Sequence, residues 1–116
     1  MTLAESQDLL FTTVWNLQEL LVHKIAVEHG FWDADVSDGE AIALIHSELS
    51  EALEAFQHNN PPDDKLPEFS SAEVELADAV IRIMDFARAK GFRVAKAIIA
   101  KSAYNETRPY KHGKAF

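Results

Sequence analysis

Glu48, Glu51, Glu75 and Asp78 stand in two pairs of acids three residues apart. On a helix that spacing puts both carboxylates on one face, one turn apart, where they can converge on a single cation. Two facing helices with such pairs would offer the all-oxygen surround that Mg²⁺ prefers, with waters and substrate phosphates completing its octahedron. Spacing alone does not single these acids out. The chain holds five such pairs, Glu5/Asp8, Asp35/Asp38, Glu48/Glu51, Glu51/Glu54 and Glu75/Asp78, against roughly three expected by chance. Glu5 and Asp8 fall in a first helical turn, where acids meet the helix dipole favourably, and Asp35/Asp38 runs from a loop into a cap.

Glu75 and Asp78 have a different setting. Their helix carries Val74, Leu76, Ala77, Ala79, Val80, Ile81, Ile83, Met84, Phe86 and Ala87, so it is apolar around most of its circumference. Glu75, Asp78, Arg82 and Asp85 share a narrow polar seam, where like charges need a cation and Arg82 supplies only one. The plainer account is a solvent face with an Asp78/Arg82 ion pair, four residues apart. On the preceding helix, Ile42, Ile45, Leu49, Leu53 and Phe56 make the main core stripe. Glu48 projects instead onto a flank with Ala41, Leu44 and Ala55, and Glu51 borders that flank while Glu54 points to solvent.

The elements that carry these acids are punctuated in the sequence. Thr2, Ser37 and Ser70 are followed three residues later by Glu5, Glu40 and Glu73, the capping-box pattern of a helix start. Gly30 and Gly91 end apolar periodic segments, and Pro109 bars further helix. Four helices are predicted, over 3–29, 38–58, 71–90 and 92–107, with no segment alternating as a strand does. The fold class is all-α, a four-helix-bundle-like arrangement in a single domain, 1–116, ending in a basic tail over 108–116. The first helix is apolar on more sides than one neighbour can cover, through Leu9, Leu10, Val14, Leu17, Leu20, Leu21 and Ile25 among others, which points to a homo-oligomer.

Composition narrows the chemistry. Without cysteine there is no thiolate metal site and no cysteine nucleophile, leaving carboxylates, histidines or a bound ion. The first residues lack a basic, apolar leader pattern, and no long uncharged apolar run occurs, so a cytoplasmic protein with no membrane partner is expected. Residues 1–87 hold three of the eleven Lys and Arg and 18 of the 19 acids, whereas 88–116 hold eight basic residues and one acid. An acidic body with a basic end argues against a broad nucleic-acid face and suits cations and basic side chains meeting one phosphorylated ligand.

Lys101, Tyr104, Asn105 and Arg108 follow i, i+3, i+4, i+7 spacing, a stripe of ammonium, phenol, amide and guanidinium. Lys101 and Arg108 could neutralise phosphate oxygens and Asn105 could bond a sugar or phosphate; the alternative packs Tyr104 on the core and leaves the cations to solvent. Trp32, beside Phe31, either stacks on a base or plugs the helix ends, and the plug is preferred. His46 lies far around its helix from Glu48 and is expected in the core.

Glu48-Leu49-Ser50-Glu51 followed by Glu75-Leu76-Ala77-Asp78 resembles the paired E-x-x-E and E-x-x-D signature of the MazG-like, all-α nucleoside triphosphate pyrophosphohydrolase superfamily. The likeness runs from about Gly39 through the segment from Lys101 to Lys111. It implies that Glu48, Glu51, Glu75 and Asp78 ligate Mg²⁺, that Lys101, Tyr104, Asn105 and Arg108 serve the substrate, and that the protein is a dimer or tetramer. The implied reaction cleaves an NTP or dNTP between the α and β phosphates, as nucleotide-pool housecleaning. Carboxylates hold the ions, and the ions neutralise phosphate oxygens and activate water for attack on the α-phosphorus, with Glu51 the choice for proton acceptor. Two rivals remain. A ferritin-like di-iron bundle needs Glu-x-x-His, and no glutamate here has histidine three residues on. A non-catalytic helical oligomerisation or antitoxin-like module would use the acids only as a solvated face.

Overall fold

A computed structural model describes residues 1–115 of the chain. It has four helices, α1 (Leu3–Glu28), α2 (Asp38–Gln57), α3 (Ser71–Lys90) and α4 (Val94–Glu106), and a 3₁₀ turn at Tyr110–Gly113. No strand occurs among the described residues. Phe116, the end of the predicted basic tail, lies outside them. The helix starts follow the sequence signals closely. Thr2 with Glu5 and Ser70 with Glu73 form complete capping boxes. At Ser37 only half of the box forms: the serine hydroxyl accepts from the Glu40 amide, with no return bond from the Ser37 amide to the Glu40 carboxylate. Gly91 closes α3 in the left-handed conformation at φ 73°, which a residue without Cβ adopts at little cost. The predicted α4 starts two residues too early, because Phe92 and Arg93 belong to the turn out of that cap.

Helices α2 and α3 pack as an antiparallel pair, and α3 also packs on α1, while α4 rests mainly on α1. The α2–α3 pair is fixed at both ends. Lys90 Nζ reaches Asp38 Oδ1 at 3.0 Å at one end. At the other, Asn60 Oδ1 accepts from the Ala72 amide at 2.8 Å and Pro61 O accepts from the Ser71 amide at 2.8 Å. Asn59 and Asn60 take positive φ there, tolerable for asparagine, and Asp63 Oδ2 accepts from the Lys65 and Leu66 amides. This knotted connection sets the register that puts the first turns of α3 opposite the last turns of α2.

Small residues dominate what α2 and α3 bury. Ala52 and Ala55 of α2 and Ala72, Ala79, Met84 and Ala87 of α3 are buried. The expected core stripe of α2 is largely uncovered: Leu53 and Phe56 are 62% and 61% exposed, and Ile42 and Leu49 are exposed too. The helix instead buries the small-residue flank that carries Glu48, since alanines let two backbones approach closely. His46, expected in the core, is exposed because it lies on the uncovered side. Leu9, Leu10, Val14, Leu17, Leu20, Leu21 and Ile25 of α1 are exposed as well.

The described chain is therefore far more open than a compact monomer. Its accessible surface is 8853 Å², against about 6,300 Å² for a folded monomer of this mass. Its radius of gyration is 16.8 Å, against about 13 Å for a compact domain of this length.

Candidate metal centre

Burial of Glu48 on α2 follows from the alanine flank it shares, and the register of α3 then sets Glu75 across from it. One carboxylate oxygen from each of Glu48, Glu51 and Glu75 lies within 4.8 Å of the others. Glu48 is 8% exposed, Glu75 is half-buried and Glu51 lies at the solvent edge. Glu75 Oε2 is shut off from solvent and meets no donor among the described residues. A buried carboxylate oxygen without a partner is costly, so the cluster is built for something that supplies positive charge or a proton.

The carboxyls answer that shortage by titration. Burial, reinforced by facing Glu51 and Glu48, pushes the Glu75 carboxyl up to about 8 from the ordinary 4.5. Burial acts on Glu48 in the same sense but is outweighed, chiefly by Arg82, which bonds and faces it, so its carboxyl is held below the usual range. Asp78 is raised, first by burial and then by the Glu48 charge.

Arg82 does not follow the plainer account of the seam. It does not close an intrahelical pair with Asp78; its Nε donates across the helix seam to Glu48 Oε1 at 2.8 Å. Glu48 is the most buried acid of the four, so its charge stands to lose most without a partner. Asp78 stays apart from the three converging oxygens. It borders the next cavity along the seam, of about 270 Å³, lined by Val22, Ile25, Phe31, Glu48, Ile81 and Asp85 among others. Glu51 and Glu75 face the other way, into an open hollow with Glu54, His58, Asp64 and Ser71. The carboxylates thus form a wall between two spaces, three converging within 4.8 Å and the fourth adjoining.

The predicted basic stripe is real as a stripe. Lys101 Nζ lies 4.8 Å and the Arg108 guanidinium 5.6 Å from the centre of the Tyr104 ring, so an exposed Tyr104 has two cations within reach of its π-system. Asn105 Oδ1 is closed off from solvent and without a partner among the described residues. None of the four lines either space bordered by the carboxylates. Helix α4 docks on the first turns of α1, sharing a hollow with Ala4, Gln7, Asp8 and Phe11, whereas Val22 and Ile25 of α1 wall the carboxylate cavity. Phe11 and Val22 are ~16 Å apart along that helix. Within one chain the two halves of the expected site are not brought together.

Trp32 is half-buried and fixed. Its Nε1 donates to Asp85 Oδ1 and Oδ2 at 3.0 and 3.1 Å, and its ring meets His23 edge-on at 5.6 Å. His23 Nδ1 is 2.7 Å from Asp85 Oδ1. Sequence reasoning saw Asp85 only as part of the polar seam and missed that three elements meet on it. Glu19 was also missed: it is 4% exposed and accepts from Trp15 Nε1 at 2.9 Å. A tryptophan four residues before a lone acid on an apolar helix was the available signal.

No family model, curated protein or solved structure matches the chain.

Proposed function

We propose that the protein is a Mg²⁺-dependent nucleoside triphosphate pyrophosphohydrolase of the MazG-like all-α kind, working as a cytoplasmic homo-oligomer. The observation that carries this reading is Glu75: a carboxylate oxygen closed off without a donor, facing Glu48 and Glu51 across a space that a hard cation with oxygen ligands would fill. Glu48, Glu51 and Glu75 would hold the ion, and Asp78 adjoins them on the cavity side. Bound Mg²⁺ would neutralise triphosphate oxygens and lower the pKa of the attacking water. Arg82 holds Glu48 in one orientation. Glu51, the most exposed of the three, has the freedom to accept the water's proton.

The Lys101–Arg108 stripe reaches the phosphates only if a neighbouring copy supplies it, and the exposed apolar faces of α1 and α2 give that copy a place to dock. The same faces favour the second reading, a helical oligomerisation module without catalysis. A panel of NTPs and dNTPs with Mg²⁺ separates the two. Monophosphate and pyrophosphate should appear, and Glu75→Gln should lower turnover by roughly 100-fold or more. Orthophosphate released from the γ position, or turnover indifferent to Glu75→Gln, would overturn the hydrolase. Indifference to Glu48→Ala with Asp78→Ala would favour the module.

A further inference from the structure

We propose that Asp85 reads the nucleotide's base: the cavity it shares with Glu48 and Asp78 takes a base carrying an exocyclic amino group, whose N–H the Asp85 carboxylate accepts. This deepens the nucleotide reading above and rests on it.

The cavity is divided by chemistry. Val22, Ile25, Ala26, Phe31 and Ile81 give it apolar walls, while Glu48 of α2 and Asp78, Arg82 and Asp85 of α3 supply its polar groups. A flat aromatic ring suits such walls, with a few fixed polar groups setting its orientation. Glu48 belongs both to the carboxylate cluster and to the cavity wall, so a nucleotide with its phosphates at the cluster has the apolar part of this cavity as a shelter for its base.

Asp85 is placed to act as one of those fixed groups. It bonds His23 of α1 and Trp32 of the α1–α2 loop, and so stands fixed from two sides on the cavity wall. An ionised carboxylate offers about four acceptor sites and no donor. Two donors, His23 Nδ1 and Trp32 Nε1, leave capacity free, chiefly on Oδ2, which has only a share of the indole N–H at 3.1 Å. An acceptor held in that way attracts an amino group and repels a carbonyl oxygen. Cytosine and adenine are therefore favoured over their counterparts with a carbonyl at the same position, uracil and hypoxanthine.

The test compares CTP with UTP and ATP with ITP, pairs that differ in this exchange. The amino partner should have kcat/KM higher by roughly tenfold or more, and Asp85→Asn, whose amide also donates, should shrink or invert that ratio by a similar factor. Binding of CMP and UMP without metal, followed by NMR, gives a readout independent of catalysis. Ile25→Phe, which narrows the cavity without touching the Asp85 bonds, should weaken CMP binding by roughly tenfold. Equal ratios in the wild type, or an unchanged ratio in folded Asp85→Asn, would overturn the base reading and leave the hydrolase standing. CMP-selective binding without hydrolysis of any triphosphate would support the base site and overturn the hydrolase. Should Asp85→Asn fail to fold, CMP binding unchanged by Ile25→Phe overturns the proposal.

Discussion

Arg82 on α3 donates its Nε to Oε1 of Glu48 on α2 at 2.8 Å, a bond across the seam between two helices. It ties the most buried acid of the cluster to the one cation on the polar seam of α3. Without it, Glu48 would compete with Glu75 and Glu51 for relief of its charge.

Removing that cation should therefore cost more than removing a surface charge. Arg82→Ala is expected to destabilise the fold by about 1–3 kcal/mol, less than a fully buried pair because Arg82 is partly exposed. Chemical denaturation with and without Mg²⁺ checks this. A loss below the range for an exposed ion pair would remove Arg82 from the account of the site.

Glu75→Gln should do opposite things with and without metal. The amide keeps the shape of the side chain and carries no ionisable proton, so the metal-free variant should melt higher than wild type near pH 9, above the Glu75 carboxyl's value of about 8. With Mg²⁺ present the wild type should gain thermal stability and the variant should gain little. Equal Mg²⁺ stabilisation of both would take Glu75 out of the ligand set.

The pH dependence follows from the same group. The folded Glu75 carboxyl releases its proton near 8, and its ordinary value is 4.5. Between those values the folded chain holds more protons than the unfolded one, so metal-free stability falls as pH rises through this window. Asp78, also raised, acts in the same direction. Glu48, held low, contributes stability above its ordinary value of 4.5 that is lost as pH falls further. Melting curves from pH 4 to 9 should peak near the lower end of the window. Stabilisation by Mg²⁺ should grow across it, as the ion displaces a proton. A metal-free melting temperature that climbs from pH 5 to 8 would contradict the assignment.

The open protomer predicts assembly. Its surface exceeds that of a compact monomer by roughly 2,500 Å², more than one side of a standard interface covers. Sedimentation should give a dimer or tetramer, and Leu53→Glu with Phe56→Glu should shift it toward smaller species with lower melting temperature. A stable monomer at micromolar concentration would refute this and, with it, the supply of Lys101 and Arg108 from a second copy.

Much of the architecture was readable from residue order. Thr2/Glu5, Ser70/Glu73 and Gly91 act within one helical turn of themselves, so the starts of α1 and α3 and the end of α3 follow from local bonds. The carboxylate pairs, too, were legible because three-residue spacing fixes a shared face on any helix. What local pattern could not say was which face each helix buries. The large stripe of α2 reads as core by hydropathy, yet the chain buries the alanine flank, because close approach of two backbones depends on both surfaces at once. That choice brings Glu48, Glu51 and Glu75 together, leaves Asp78 beside them, sends Arg82 across the seam and joins Asp85 to His23 and Trp32, residues 62 and 53 positions away. Contacts at such separation depend on helix register and docking, which only the tertiary structure decides.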